Sequence, residues 1–275
     1  MSRFSISFKL KTRKINSILL VGLAFFASCT TPQENAETIE EGSDLNPAAE
    51  GFKAEESDVK AIAWADAVMT AQGGRKQWDQ TRFIQWNFFG RRDLLWDKAT
   101  GRVRIDSPKD SVTFLVNVND ETGKVLLKGK EVQDADSLKN LVSRAKSIWI
   151  NDSYWLVMPF KLKDSGVTLK YLREDTTAKG EMAHVLQLSF EEVGDTPENK
   201  YEVFITEKDS LVKQWSYYAQ ASQDSASAVW PWDNYKEYNG LMLSADRSDN
   251  KGPHDVKIFD QVPDAAFENF DWKSE

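Results

Sequence analysis

Cysteine is almost absent from this chain. Its 275 residues include one Cys, at position 29, and two His, at positions 184 and 254. A single thiol excludes an internal disulfide framework, and a zinc site of three or four Cys or His ligands has no donors to draw on. There is no Gly-x-Ser-x-Gly elbow, no glycine-rich phosphate loop and no His-Glu-x-x-His. Paired carboxylates could make a glycosidase. Among 43 Asp and Glu residues, however, some pair is always available, so the carboxylates single out no site and a hydrolase is the weakest reading. Positive charge is also short: 35 Lys and Arg leave a net charge of −8. Such a chain is not drawn to nucleic acid or to an anionic membrane surface. No catalytic residue, cofactor, metal or nucleic-acid partner is expected.

Long apolar runs are missing as well. The longest, from Ile18 to Phe26, falls short of the roughly 20 residues that span a bilayer. It follows Arg3, Lys9, Lys11, Arg13 and Lys14, and no acidic residue occurs before Glu34. A positive n-region, an apolar h-region and then small residues form a secretory signal. Its end, Phe26-Ala27-Ser28-Cys29, resembles a bacterial lipobox. The resemblance implies cleavage before Cys29 and acylation of that residue, palmitate included, so that the protein is held to a membrane by lipid. Thr30 in place of Asp after the cysteine implies the outer membrane, on its periplasmic or its outer side. Residues 1–28 are therefore read as signal peptide. Residues 29–57 are read as lipidated Cys and disordered acidic tether, because residues 30–57 have few apolar side chains. Residues 58–275 are read as one domain.

Large apolar side chains are plentiful: ten Trp and fifteen Phe suit an extensively covered sheet or an aromatic-lined cavity. The spacing predicts a first helix, with Ser57 as cap, Asp58 in the first turn, and an apolar stripe through Val59, Ile62, Ala65, Val68 and Met69 ending at Gly73-Gly74. Strict alternation follows. Ile84, Trp86 and Phe88 lead to Val103 and Ile105, then to Val112, Phe114, Val116 and Val118, with turns at Asp97–Gly101 and Asp120–Gly123. That pattern means antiparallel hairpins. Leu138, Leu141, Val142, Ala145 and Ile148 or Trp149 then fall at helical spacing behind Asp134. Residues 151–160 read as a loop or short helical segment too apolar to be free in solvent. Strands resume at Val167, His184, Tyr201 and Leu211, and a last one runs from Val256 to Phe259. The expected fold is α+β: a large curved antiparallel sheet, a half-barrel of about ten strands, with helices covering its concave face.

That order of elements, with the tail Ile258 to Phe267, resembles the LolA/LolB-like family of outer-membrane lipoprotein-sorting proteins. More narrowly, Gly73-Gly74 with Trp78, the stretch Trp155 to Leu162 with Gly166-Val167, and Trp232-Asp233 with Tyr235 and Gly240-Leu241 resemble a group of Gram-negative lipoproteins. The resemblance spans about residues 58–270. It implies a monomeric, non-enzymatic protein with an apolar cavity between sheet and helical lid, and acyl chains of lipids or lipoproteins as cargo. The residues expected to line that cavity are Trp86, Phe88, Phe114, Leu141, Trp149, Trp155, Phe160, Leu188, Phe190 and Trp215. For any single one of them plain core is the favoured reading. Tyr154 to Phe160 is the candidate for an apolar delivery loop. His184, in register with Leu186, Leu188 and Phe190, suits a core position, and His254, after Gly252-Pro253, an exposed turn. The alternative function is glycan or envelope-protein binding through exposed aromatics around Trp230-Pro231-Trp232.

Overall fold

A computed structural model of the chain describes residues 45–191 and 198–273. The signal peptide, Cys29 and the tether as far as residue 44 lie outside the described residues. The described chain contains two larger antiparallel sheets, a two-stranded ribbon and four α-helices.

The first sheet is a meander of β1 (Phe83–Phe88), β2 (Arg92–Asp97), β3 (Arg102–Ser107), β4 (Val112–Asn117), β5 (Thr122–Leu127) and β6 (Lys130–Glu131). The second holds β7 (Val167–Thr176), β8 (Met182–Phe190), β9 (Lys200–Thr206), β10 (Val212–Tyr218) and β11 (Ala228–Pro231). The ribbon is β12 (Tyr235–Tyr238) and β13 (Leu241–Ser244), and β14 (Pro253–Phe259) returns to pair with β1. All pairs are antiparallel and neither large sheet closes into a barrel. The α+β class and the antiparallel meander are as the alternation requires. Two details differ from expectation. Fourteen strands are described where about ten were expected. The strands also divide between two sheets, because a long helix stands between β6 and β7 and breaks the ladder.

Each sheet has its own covering helix. Helix α1 (Val59–Ala71) buries Ala61, Ala65 and Val68 against Leu169, Leu186, Leu188, Val203, Ile205 and Trp215 of the second sheet. It ends at Gly73, whose φ of +107° suits glycine. A Cβ there would sit 2.2 Å from the Gly240 carbonyl oxygen, so the same residue permits the close approach of the β12–β13 turn. A short helix not anticipated from sequence, α2 (Gly74–Gln80), follows at once and stacks Trp78 on Phe160 with centroids 4.6 Å apart. Helix α3 (Ala135–Val157) crosses the first sheet, with Asp134 accepting from the Ser137 N–H at 2.9 Å as its cap. It continues through the stretch read as a loop or short helical segment. Tyr154, Trp155, Leu156 and Val157 form its last turn, and Met158–Lys161 is a buried 3-10 turn. Tyr154 to Phe160 is therefore no protruding delivery loop, because its apolar side chains are consumed by packing. The last helix, α4 (Ala265–Glu268), lies on the opposite face of the first sheet, where Ala266 and Phe267 pack on Phe83 and Leu95.

The tether ends earlier than residue 57. Ala49 N donates to Lys163 O at 2.9 Å, Lys53 N donates to Val167 O at 3.0 Å, and Phe52 packs into the second core. Ser57 and Asp58 serve this fastening rather than the helix. The Leu169 N–H donates to Ser57 Oγ at 3.0 Å and the Tyr171 N–H to an Asp58 carboxylate oxygen at 2.9 Å. That backbone bond holds the Asp58 carboxyl below its ordinary pKa.

Candidate functional site

Nine of the ten cavity candidates lie on strands or on α3 and Phe160 lies in the 3-10 turn that follows it, but the fold divides them. Trp86, Phe88, Phe114 and Phe160 are buried in the core of the first sheet, with Leu141 and Trp149 of α3 half-buried against them. Leu188 and Trp215 are buried in the core of the second sheet, with Phe190 half-buried. Trp155 belongs to both. Its ring lies 4.8 Å from Trp215 and 5.3 Å from Phe89, centroid to centroid, and 5.0 Å from Trp230. From there a column of rings runs through the seam: Trp215 contacts Tyr201 at 4.8 Å, Tyr154 at 6.0 Å and Trp232 at 5.5 Å.

The covering stripe of α3 is only partly closed. Val142, Ala145, Leu156 and Val157 are buried, whereas Leu138, Leu141, Ile148, Trp149 and Trp155 keep part of their surface in water over a fully buried sheet face. Two polar contacts fix the C-terminal half. Asp152, fully buried, accepts a fork from Arg92 of β2 at 2.8 and 2.9 Å. Burial raises its carboxyl pKa, against the pull of Arg92. Arg247 holds the helix end. Trp155 O would ordinarily accept from residue 159, but Pro159 has no N–H. Arg247 Nη2 takes that carbonyl instead, at 2.6 Å.

Arg247 was not anticipated from sequence. It is 2% exposed, and its guanidinium carbon lies 3.6 Å from the centroid of the fully buried Trp232 ring. Nε donates to Ser244 Oγ at 2.8 Å and Nη2 also reaches Ser244 O at 3.2 Å. Nη1 has no hydrogen-bond partner among the described residues. Asp233 acts on it electrostatically, but that carboxylate is already bonded to Lys179 and Ser248. Burial pulls the Arg247 pKa down to about 9. The Trp215 and Trp232 indole N–H groups and the Tyr154 hydroxyl are likewise buried and unpartnered, as are the indole N–H groups of Trp86 and Trp149. Burial pushes the Tyr154 pKa well up. All of these are hydrogen-bond donors in an apolar interior. Sequence offered no signal for Arg247, which lies in the loop after β13 beside unremarkable polar residues.

Two grooves lie elsewhere. One of about 640 Å³ is on the opposite face of the first sheet, between Arg104, Asp106 and Asp93 and the tail residues Phe270 and Trp272. The other, of about 400 Å³, is lined by Asn87, Phe89, Asp246, Asn250 and His254. None of the ten cavity candidates lines either groove. His184 stacks on Trp64 at 4.1 Å and meets Tyr171 Oη at 3.0 Å, an ordinary satisfied position. His254 is not an exposed turn residue: it is the second residue of β14, half-buried, with Asp246 at 3.2 Å. Among the described residues no group of three or more His, Cys, Asp or Glu could hold a metal ion.

No protein-family model and no curated protein matches the sequence. Solved structures do. The chain is similar to a DUF1329 family protein from Desulfovibrio piger, at 11% identity over 76% of this chain and 97% of that one, with a TM-score of 0.40. It is also similar to a LolA superfamily protein from Nitrosomonas europaea, at 11% identity over 75% of this chain and 96% of that one, with a TM-score of 0.38. Likeness at that level transfers neither a site nor an activity.

The alternative of exposed aromatic recognition loses its main residues. Trp232 is 0% exposed, and Trp230 is half-buried edge-on against Trp155 and Phe89.

Proposed function

We propose that this protein is a lipid-anchored envelope protein that takes up acyl chains between its sheets and helix α3, without catalysis. One observation carries the reading: a row of large apolar side chains on α3 is left half-buried over a fully buried aromatic sheet face. A permanent core helix gains by burying such a stripe completely, at about 25 cal/mol per Å². A helix that must lift and reseat cannot be so tightly held. Leu141, Trp149 and Trp155 would face the ligand from the helix, and Trp86, Phe88, Phe114, Phe160, Leu188, Phe190 and Trp215 from the sheets and the 3-10 turn. Attachment to the outer membrane through acylated Cys29, and a monomeric state, belong to the same reading.

The test uses the chain exported with Cys29→Ser, which stays out of the membrane, purified without detergent and examined by native mass spectrometry. A co-purified or titrated acyl lipid is the expected result. Failure to carry or bind palmitate at any concentration below its micelle threshold defeats the proposal. Separately, an alkyne-tagged palmitate should label the wild-type chain and not the Cys29→Ser chain.

A further inference from the structure

The face of the first sheet turned away from α3 carries a polar row beside the tail. Asp93 of β2 stands directly across from Asp106 of β3, and Asp106 from Thr113 of β4. All three line the groove of about 640 Å³, a volume within the range of about 300–1,000 Å³ usual for small-molecule sites. Phe270 and Trp272 of the tail line the same groove, both half-buried. Arg104, 5% exposed, fixes their place. Its Nε and Nη2 donate to Asp106, its Nη1 to the carbonyls of Ala266 and Asn269, and its Nη2 also to that of Phe270. Every N–H of the guanidinium is thereby engaged. Like charges directly opposite one another on a sheet face destabilise it, and here Arg104 answers only one of the two carboxylates. Asp93 accepts from the Asn87 side-chain N–H on Oδ1 at 2.8 Å and has no partner on Oδ2 among the described residues.

We infer that this groove binds an uncharged sugar, with ring hydroxyls donating to Asp93 and Asp106 and the C–H face of a ring lying on Trp272. The donor count decides the chemistry. Arg104 has no N–H left for a phosphate or carboxylate, and the one other cation lining the groove, Lys273, is exposed and outnumbered by Asp93, Asp106 and Asp271. Anions are therefore repelled. What the groove offers is acceptors: the carboxylate oxygens, and Thr113 Oγ1, whose own hydrogen goes to Asp106 at 2.8 Å. A ligand that fits must donate. An organic cation also donates, but Trp272 already has one, since the Arg104 guanidinium carbon lies 5.5 Å from its ring centroid. A second cation on that indole meets the first. A sugar ring does not: its hydroxyls make charge-assisted bonds to carboxylates, and its apolar face packs on an aromatic one. Because the groove lies on the face opposite α3, this site and the acyl-chain reading stand or fall separately.

The test is calorimetric titration of the Cys29→Ser chain with cellotriose, maltotriose, triacetylchitotriose and the fully deacetylated, cationic form of the last. At least one of the neutral trisaccharides should bind with a Kd below about 10 mM. Trp272→Ala should weaken that binding at least about tenfold, and Trp272→Phe, which keeps a ring, less than about threefold. Asp93→Ala changes an exposed strand residue that bonds nothing in the tail, and should weaken it about fivefold. That variant decides the matter if Trp272→Ala loosens the tail, as judged by limited proteolysis within residues 263–273. Binding of the deacetylated form alone, displaced by spermidine, assigns the groove to organic cations and overturns the proposal. So does neutral-sugar binding unmoved by both Trp272→Ala and Asp93→Ala, or a failure of all the neutral probes to bind below about 10 mM.

Discussion

Asp97→Asn isolates the most heavily bonded carboxylate of the first sheet. Asp97 closes β2 and is fully buried. Its Oδ1 accepts from Arg82 Nε at 2.9 Å, and its Oδ2 from Arg82 Nη2 at 3.0 Å, Arg102 Nη2 at 3.0 Å and Thr100 Oγ1 at 2.8 Å. Asn keeps the shape but loses the charge, and turns an N–H toward donors that need an acceptor. Breaking a buried pair costs about 3–5 kcal/mol. Arg82 is 45% exposed and recovers water, so the loss sits near the low end, about 3 kcal/mol at pH 7, or a fall of about 6–12 °C in Tm. Burial by itself raises the Asp97 pKa, but the bonds from Arg82, Thr100 and Arg102 outweigh it and hold the carboxyl well below its usual range. A carboxyl with a depressed folded pKa stabilises the fold above its unfolded value, about 3.9, and that contribution is lost as pH falls toward the folded value. Urea unfolding followed by Trp fluorescence should therefore show the full gap between wild type and variant at pH 7 and pH 5, and a narrower one at pH 3. A gap below about 1 kcal/mol at pH 7, or one of equal size at pH 3, refutes the reasoning.

Other outcomes follow from single contacts. Gly73→Ala puts a Cβ 2.2 Å from the Gly240 carbonyl at a φ of +107°, and should cost at least about 3 kcal/mol in denaturant unfolding through strain and displacement of the β12–β13 turn. Trp155→Ala empties a half-buried position shared by both cores, with an expected loss of about 2 kcal/mol and faster hydrogen exchange in residues 145–157 than in the β1–β5 meander. Arg104→Met removes a buried guanidinium that bonds the carbonyls of Ala266, Asn269 and Phe270 at 3.2, 2.9 and 3.1 Å. Limited proteolysis should then cut first within residues 263–273, with the rest of the fold resisting as before.

What could be read from residues alone follows from local periodicity. Ile84, Trp86 and Phe88 alternate because one face of β1 is covered, and all three are buried together. Asp134 caps α3 and Gly73 ends α1 because those roles rest on one side chain or one φ value. The end of the acidic stretch, residues 49–57, misled because composition averages over a window. A single anchor, Phe52, with a few backbone bonds to residues 163–169, is enough to fasten residues 49–58. Residues 151–160 read only as loop or short helical segment for the opposite reason. A continuous apolar run shows no helical stripe, although the helix simply buries several sides there, against two sheets at once.

The sequence by itself determined the class of the fold, the meander of β1 to β5, the mid-chain helix and the aromatic residues that would be inside, because each of these depends on neighbours within a few positions. Only the tertiary structure decided that the strands form two sheets rather than one, that Trp155 joins their cores, and that Arg247, 92 residues away, closes the end of α3 where Pro159 cannot. Those facts depend on which surfaces meet across the chain, and a buried cation or an unpartnered indole N–H becomes visible only when every possible partner nearby has a position.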